Sequence, residues 1–275
     1  MTSALALTLL LAGATSAKSI EWEKNFDQAM EKAAEQGKPV LVDFWAEWCG
    51  WCHRLDRTTY VDPVVVAKAQ DFVAVKINTE GSDREREVAQ RYRVHSLPTI
   101  LFLSPGGLQV WRVNSFMGPG RFPFTMDEAL EASGRVGTWE AGLASDSGNA
   151  GALFSIGRHL FEQECYAESE EYLARAARND ENAPVDERRQ TRLLLAVLQN
   201  AQRRFAEAES LIKEALGLDP KSEDQPKLLF FLGRTYVSWG RHQMGVETMQ
   251  VIVREHPGSP VAPKAQEALT ALERR

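Results

Sequence analysis

Cysteine is scarce in this sequence, and basic residues do not outnumber acidic ones. Only three cysteines occur among 275 residues, and the formal net charge is −6. A chain of this length buries a sizeable core without a framework of disulfides, so a close cysteine pair would indicate redox or metal chemistry. Nucleic-acid binding needs a concentrated basic face. We therefore expect no nucleic-acid partner.

Long apolar runs are lacking too. The uncharged apolar run at residues 4–12 is shorter than the roughly 20 residues of a transmembrane helix. Gly13 and four small residues follow this run, a pattern typical of a signal peptide. The sequence therefore predicts a signal peptide at residues 1–17 and export, with the periplasm as the expected compartment. A buried N-terminal helix is the alternative interpretation.

Residues 19–133 alternate between two kinds of pattern. Apolar segments typical of buried strands are followed by segments with helical spacing of apolar residues. The expected strands are 39–45, 72–77, 99–103 and 108–113. The expected helices are 22–36, a short helix after the cysteine pair, a helix that begins at Pro63, 84–92 and 126–132. This order predicts an α/β domain with a central mixed sheet covered by helices.

Beyond residue 133 the pattern becomes helical throughout. A stretch at 134–150 that is rich in Gly, Ser and Ala is the expected linker. A frame of small and apolar residues then recurs with a period of about 34 residues plus short inserts. Its members are Gly157, Ser169, Leu173 and Ala176, then Ala196, Ala208, Ile212 and Ala215, then Gly233, Gly245, Met249 and Ile252. This frame resembles the tetratricopeptide family and implies an all-α solenoid of about three repeats over residues 151–275, with a capping helix at 262–272.

A Cys-Gly-Trp-Cys motif at residues 49–52 is where we expect the chemistry. The motif follows the strand at 39–45 directly and opens a helix. Backbone N–H groups and the positive end of a helix dipole stabilise a thiolate at this position, so Cys49 is the expected nucleophile. Asp43 is the carboxylate in an otherwise apolar strand, where burial would raise its pKa and suit it to accept the proton of Cys52.

Two separate motifs resemble the thioredoxin family. Residues 42–52 resemble the family's active-site strand and turn, and Leu97-Pro98-Thr99 resembles its cis-proline loop. Residues 38–40, 62–63 and 97–102 are most similar to the thioredoxin-like domain of exported disulfide-interchange reductases. The resemblance covers about residues 20–132, and it implies a thioredoxin-like α/β domain followed by the repeat solenoid.

The resemblance also implies an activity and a set of contacts. Cys49 would attack a substrate disulfide and Cys52 would resolve the mixed disulfide, with no bound cofactor or metal and with reduction as the expected direction. Lys76 would lie near the Asp43 carboxylate. The expected substrate contacts are Trp48, Gly50, Trp51, Leu97 and Pro98. Pro98 would be cis and would present the backbone of Leu97 to pair with an extended substrate segment. The expected partners are disulfide-containing proteins and an upstream thiol electron donor.

Two other interpretations stay open. Cys49 to His53 spells Cys-x-x-Cys-His, which is the attachment pattern of c-type haem. Alternatively, the repeats could be the main activity of a scaffold or chaperone-like binding protein. Their concave groove, suited to a protein or peptide partner, is expected to carry Phe154, Arg158, Phe161, Leu193, Val197, Phe230, Arg234 and Val237.

Overall fold

The computed structural model describes residues 19–273, and the chain divides into two compact units at Ser133 and Gly134. The signal peptide predicted at residues 1–17 lies outside the described residues. Between residues 19 and 273, no helix is both long enough and apolar enough to cross a lipid bilayer.

The first unit is built on a five-stranded mixed sheet with the order β1-β3-β2-β4-β5. Its strands are β1 (Trp22–Glu23), β2 (Val40–Trp45), β3 (Val73–Asn78), β4 (Thr99–Leu103) and β5 (Gln109–Val113). Strand β3 runs parallel to β1 and β2, whereas β4 runs antiparallel to β2 and β5. Strands β2 and β4 are buried almost throughout, which explains why their sequences are continuously apolar rather than alternating.

Several helices of this region begin at residues with clear capping roles. The helices are α1 (Phe26–Gln36), α2 (Gly50–Arg54) with a π-helical turn at Leu55–Thr59, α3 (Pro63–Ala69), α4 (Asp83–Arg91) and α5 (Phe122–Ser145), which continues past Ser133. The Asp62 carboxylate accepts hydrogen bonds from the first N–H groups of α3, and Ser82 forms a capping box with Glu85 at the start of α4. Helix α1 ends at Gly37, which has a left-handed φ of 64°.

Two predicted bounds in this region are wrong. The helix predicted over 22–36 begins only at Phe26, because the Asn25 side chain caps it and residues 22–23 pair with β3 as a strand. The linker predicted at 134–150 is helical as far as Ser145, where α5 ends. Gly142 in this stretch lies at a helix contact, since a Cβ there would be 3.5 Å from the Cβ of Ala152. Gly142 therefore contributes to close packing of helices rather than to a flexible linker.

The second unit consists of helical hairpins, as the repeating frame predicts. Its helices are α6 (Ala150–Glu162), α7 (Tyr166–Arg178), α8 (Val185–Ala201), α9 (Phe205–Leu218), α10 (Gln225–Ser238), α11 (His242–Glu255) and α12 (Ala262–Glu273). Helices α6 and α7, α8 and α9, and α10 and α11 pack as pairs. Gly157 permits the first of these close contacts, because a Cβ there would lie 2.7 Å from Cγ of Leu173.

Candidate active site

The two cysteines of the motif are joined at the start of helix α2. Cys49 is the N-cap residue, and its Sγ accepts the backbone N–H of Cys52 at 3.1 Å. The Cys49–Cys52 disulfide joins Cα atoms 5.3 Å apart, and both residues are buried. The structure is therefore the oxidised form of a dithiol. After reduction, the N–H groups and the positive end of α2 would stabilise a negative charge on the Cys49 sulfur.

Two exposed tryptophans flank this disulfide. Trp48 is 67% exposed, and its indole N–H donates to Oε1 of Glu80 at 2.7 Å. Trp51 is 54% exposed, and its ring lies 5.4 Å from that of Phe116. Gly50 is exposed between them. The surface around the motif therefore combines large aromatic groups with a position that carries no side chain.

Asp43 lies in the sheet behind the motif and is 0% exposed. It pairs in register with Lys76 on β3, and Lys76 Nζ lies 3.4 Å from Asp43 Oδ2. Within the described part of the chain, neither carboxylate oxygen of Asp43 accepts a hydrogen bond of good geometry. Burial raises the pKa of Asp43 to about 6, although the Lys76 charge offsets part of this effect. The predicted proximity of Lys76 to Asp43 is confirmed.

Asp43, Lys76 and three further residues form a partly buried charge cluster, and sequence reasoning missed the three further residues. Asp56 forms an ion pair with Lys76, and its charge raises the pKa of Asp43 further. The Lys76 ammonium lies 5.1 Å from the ring centroid of Trp22 and 5.4 Å from that of Tyr60. Burial and the nearby Asp43 raise the pKa of Tyr60 well above its usual range. Of these three residues, only Asp56 could have been selected from the sequence, because it lies one helical turn beyond the cysteine motif.

The second predicted motif lies at the same end of the sheet. The Leu97–Pro98 peptide bond is cis, which confirms that prediction. Thr99 opens β4 and pairs with Phe44 near the end of β2. Because β4 is antiparallel to β2, its start lies at the end of β2 from which the cysteine motif continues. The role of Leu97 and Pro98 in substrate binding stays a prediction.

The arrangement of His53 bears on the haem interpretation. Its Nε2 lies 2.8 Å from the carbonyl oxygen of Glu47, so the ring donates a hydrogen bond to the preceding loop. The two sulfurs that thioether bonds to haem would require are joined to each other. This geometry favours redox chemistry of the cysteine pair over covalent haem attachment.

The structure brings together only some of the residues predicted to form the groove of the repeats. Leu193, Val197 and Arg234 line a cavity of about 190 Å³ between α8 and α10. Arg234 also lines a second cavity of about 220 Å³ with Val237. Asn200 also lines the first cavity, and its Oδ1 is buried with no hydrogen-bond partner among residues 19–273. Sequence reasoning had not selected Asn200.

The other predicted groove residues do not line these cavities. Phe154 is buried in the core of the first repeat, with the Arg158 guanidinium 5.4 Å from its ring centroid. Phe161 packs edge-on against Tyr166. Phe230 packs with the core around α11 and α12, and its neighbour Phe231 lines the first cavity instead. A shift of one residue rotates the position by about 100° around a helix, which explains this difference.

Comparisons with known proteins agree with this architecture. Residues 21–105 match the family described as thioredoxin-like, and residues 136–184 match the tetratricopeptide repeat family. The chain thus joins a domain of the thioredoxin-like family to a tetratricopeptide-repeat unit. The predicted resemblance to both families and the predicted fold class are confirmed.

The individual relatives described here each match less than half of the chain. The thiol:disulfide interchange protein DsbD 1 of Pseudomonas aeruginosa is 34% identical over 93 residues, which are 32% of this chain and 16% of that protein. The thioredoxin H-type of Oryza sativa subsp. indica is 38% identical over 81 residues, 30% of this chain and 62% of the relative. A solved thioredoxin from Thermus thermophilus is 27% identical, with a TM-score of 0.40 over 43% of this chain and 93% of that one. The chain therefore spans less than two thirds of the curated relatives that it matches.

Proposed function

We propose that this protein is a thiol–disulfide oxidoreductase whose working group is the Cys49–Cys52 dithiol. The observation that carries the proposal is the disulfide at the N-terminus of α2, with the Cys49 sulfur as the N-cap. The buried Asp43 carboxylate lies in the strand that leads to this motif. The similarity to thiol:disulfide interchange proteins supports the same activity.

In the proposed reaction the Cys49 thiolate attacks one sulfur of a substrate disulfide. That S–S bond breaks, a mixed disulfide forms, and the released substrate sulfur takes up a proton. Cys52 then loses its proton and attacks the Cys49 sulfur, which frees the second substrate thiol and leaves the Cys49–Cys52 disulfide. The substrate gains two electrons and the protein loses them. An upstream thiol donor returns these electrons in the next cycle.

We assign the role of proton acceptor for Cys52 to Asp43. A carboxyl group whose pKa is about 6 changes its protonation state near neutral pH, which suits a group that takes up and releases a proton in each cycle. Lys76, held by both Asp43 and Asp56, limits how far burial disfavours the ionised carboxylate.

Reduction of protein disulfides outside the cytoplasm is the direction and place that we propose. The apolar N-terminal run with small residues after it supports export. The partners would be disulfide-containing proteins and an upstream thiol donor. About 30 mV of reduction potential shifts this two-electron equilibrium by about 1.4 kcal/mol, so measurement of the potential would test the direction.

For the repeat unit we propose binding of a protein or peptide partner. The two cavities that share Arg234 support this role, since both combine apolar walls with the exposed guanidinium. The first cavity also contains the buried amide oxygen of Asn200. We expect Arg234→Glu to reduce capture of protein partners by a Cys52→Ala protein while its reaction with a small disulfide peptide is unchanged. Equal capture with and without the Arg234 substitution would contradict the binding role.

The oxidoreductase proposal is tested with the full chain in its reduced form. We expect it to reduce insulin disulfides with a dithiol as the electron source. Cys49→Ala should abolish this activity, whereas Cys165→Ala, the matched substitution in the repeat unit, should leave it unchanged. An inactive reduced protein, or equal activity of the Cys49→Ala variant, would overturn the proposal.

A further inference from the structure

The rim of the cysteine motif carries opposite charges beside its two exposed tryptophans. The Glu80 carboxylate accepts the indole N–H of Trp48. The Arg54 guanidinium lies 5.2 Å from the centroid of the Trp51 ring. An extended substrate segment that reaches Cys49 would therefore meet a surface with a distinct electrostatic polarity.

Stacking on aromatic rings holds Arg54 in place. Its guanidinium carbon lies 4.8 Å from the centroid of Phe116 as well as near Trp51, and the two rings are themselves in contact. Cation–π contacts attract the guanidinium to the faces of aromatic rings. A guanidinium that stacks through its planar face keeps the N–H donors at its edge available, and these donors can bind a carboxylate in a bidentate manner.

The charge of Arg54 is not neutralised by the described part of the chain. Arg54 is exposed, and no carboxylate within residues 19–273 forms an ion pair with it. Arg84, by contrast, forms ion pairs with Asp27 and Glu87. An exposed cation, fixed by aromatic contacts and without an acidic partner, is complementary to an acidic ligand.

We propose that Arg54 is a specificity-determining residue that favours substrates with an acidic side chain next to the reactive disulfide. Trp51 and Phe116 would hold the guanidinium and contact the apolar part of the same substrate segment. Gly50 between the cysteines carries no side chain, so the segment can lie close to the motif. The inference rests on the proposed oxidoreductase function and names a substrate class for that site.

The test uses two disulfide peptides that differ only in one residue beside the cysteine, aspartate in one and lysine in the other. The reduced full-length protein is mixed with each, and second-order rate constants are measured at low and high salt. We expect the aspartate peptide to react about three- to fivefold faster at low salt, which lies in the upper part of the range for an exposed ion pair. High salt should reduce this ratio.

Substitutions at Arg54 should change the ratio of the two rate constants. Arg54→Gln should abolish the preference, and Arg54→Glu should reverse it. Phe116→Ala retains the charge but removes half of the stack, so we expect it to weaken the preference. Arg57→Gln is the matched control, because it removes an exposed arginine three residues away that forms no cation–π contact with Trp51 or Phe116 in the described part of the chain. The Arg57→Gln protein should retain the preference.

The possible outcomes separate this inference from the proposed function. The role of Arg54 would be overturned if the ratio of the two rate constants were equal for the wild-type and Arg54→Gln proteins. It would also be overturned if Arg54→Gln and Arg57→Gln reduced the preference for the aspartate peptide equally. In both cases the protein would still reduce both peptides, so the proposed function would stand. A wild-type protein that reduces neither peptide would instead overturn the oxidoreductase proposal itself.

Discussion

Replacement of the buried Asp43 by asparagine should stabilise the first unit in a pH-dependent way. Burial raises the pKa of Asp43 from 3.8 to about 6 in the folded protein. By linkage, this difference corresponds to about 3 kcal/mol of folding free energy. The raised pKa means that ionisation of Asp43 opposes folding.

The sign of the pH dependence follows from the order in which the two states ionise. Below pH 3.8 the Asp43 carboxyl is protonated in both the folded and the unfolded chain, and its contribution to stability is fully present. As the pH rises from 3.8 to about 6, the unfolded chain ionises first and the folded state loses stability. Above this range the loss is complete and constant. Asparagine stays neutral at every pH, so the Asp43→Asn protein does not undergo this loss of stability.

We therefore expect Asp43→Asn to raise the free energy of unfolding by about 3 kcal/mol at pH 8, and by much less at pH 4. Since the chain has two compact units, urea unfolding should be followed by hydrogen exchange of peptides from β2, which report on the first unit alone. The oxidised protein should be used throughout. Asp71→Asn is the matched control, because Asp71 is an exposed carboxylate, and its effect should stay within about 0.5 kcal/mol. No stabilisation at pH 8, or a gain that is the same at pH 4, would refute the reasoning.

Two further predictions concern the charge cluster and the repeats. Asp56→Asn should lower the pKa of Asp43 because it removes a nearby negative charge, whereas Lys76→Met should raise it; NMR titration of the Asp43 carboxyl carbon checks both directions. A pKa that is unchanged in both variants would contradict the electrostatic account. Gly157→Ala should destabilise the repeat unit by about 1–3 kcal/mol, because its Cβ would lie 2.7 Å from a side-chain carbon of α7. Gly217→Ala has open space and should be neutral or stabilising; thermal unfolding that ranks the two variants in the opposite order would refute the packing argument.

Local patterns predicted the centre of the site well. Cys49 and Cys52 follow an apolar strand within a few residues, so their placement at a helix start could be inferred from neighbouring sequence alone. Asp43 could be predicted as buried because every neighbour in its strand is apolar. The repeating frame likewise included Gly157, where the structure has a close contact between helices.

Residues whose role depends on distant parts of the chain could not be predicted in the same way. Tyr60 contacts the charge cluster because a π-helical turn precedes it, and no pattern in the sequence marks that turn. Trp22 lies in a strand of two residues whose pairing with β3 bridges about fifty positions of the chain. The exchange of Phe230 for Phe231 in the first cavity shows that helical periodicity predicts a face only to within one residue.

The central claim is that Cys49 attacks a disulfide and that Cys52 resolves the product. The most direct measurement is the intact mass of the reduced Cys52→Ala protein after it reacts with a disulfide peptide, followed by mapping of the modified residue. We predict one peptide attached through Cys49 in a stable mixed disulfide, and none on this residue in the matched Cys49→Ala protein. Attachment at Cys165 instead, or no adduct at all near neutral pH, would contradict the account.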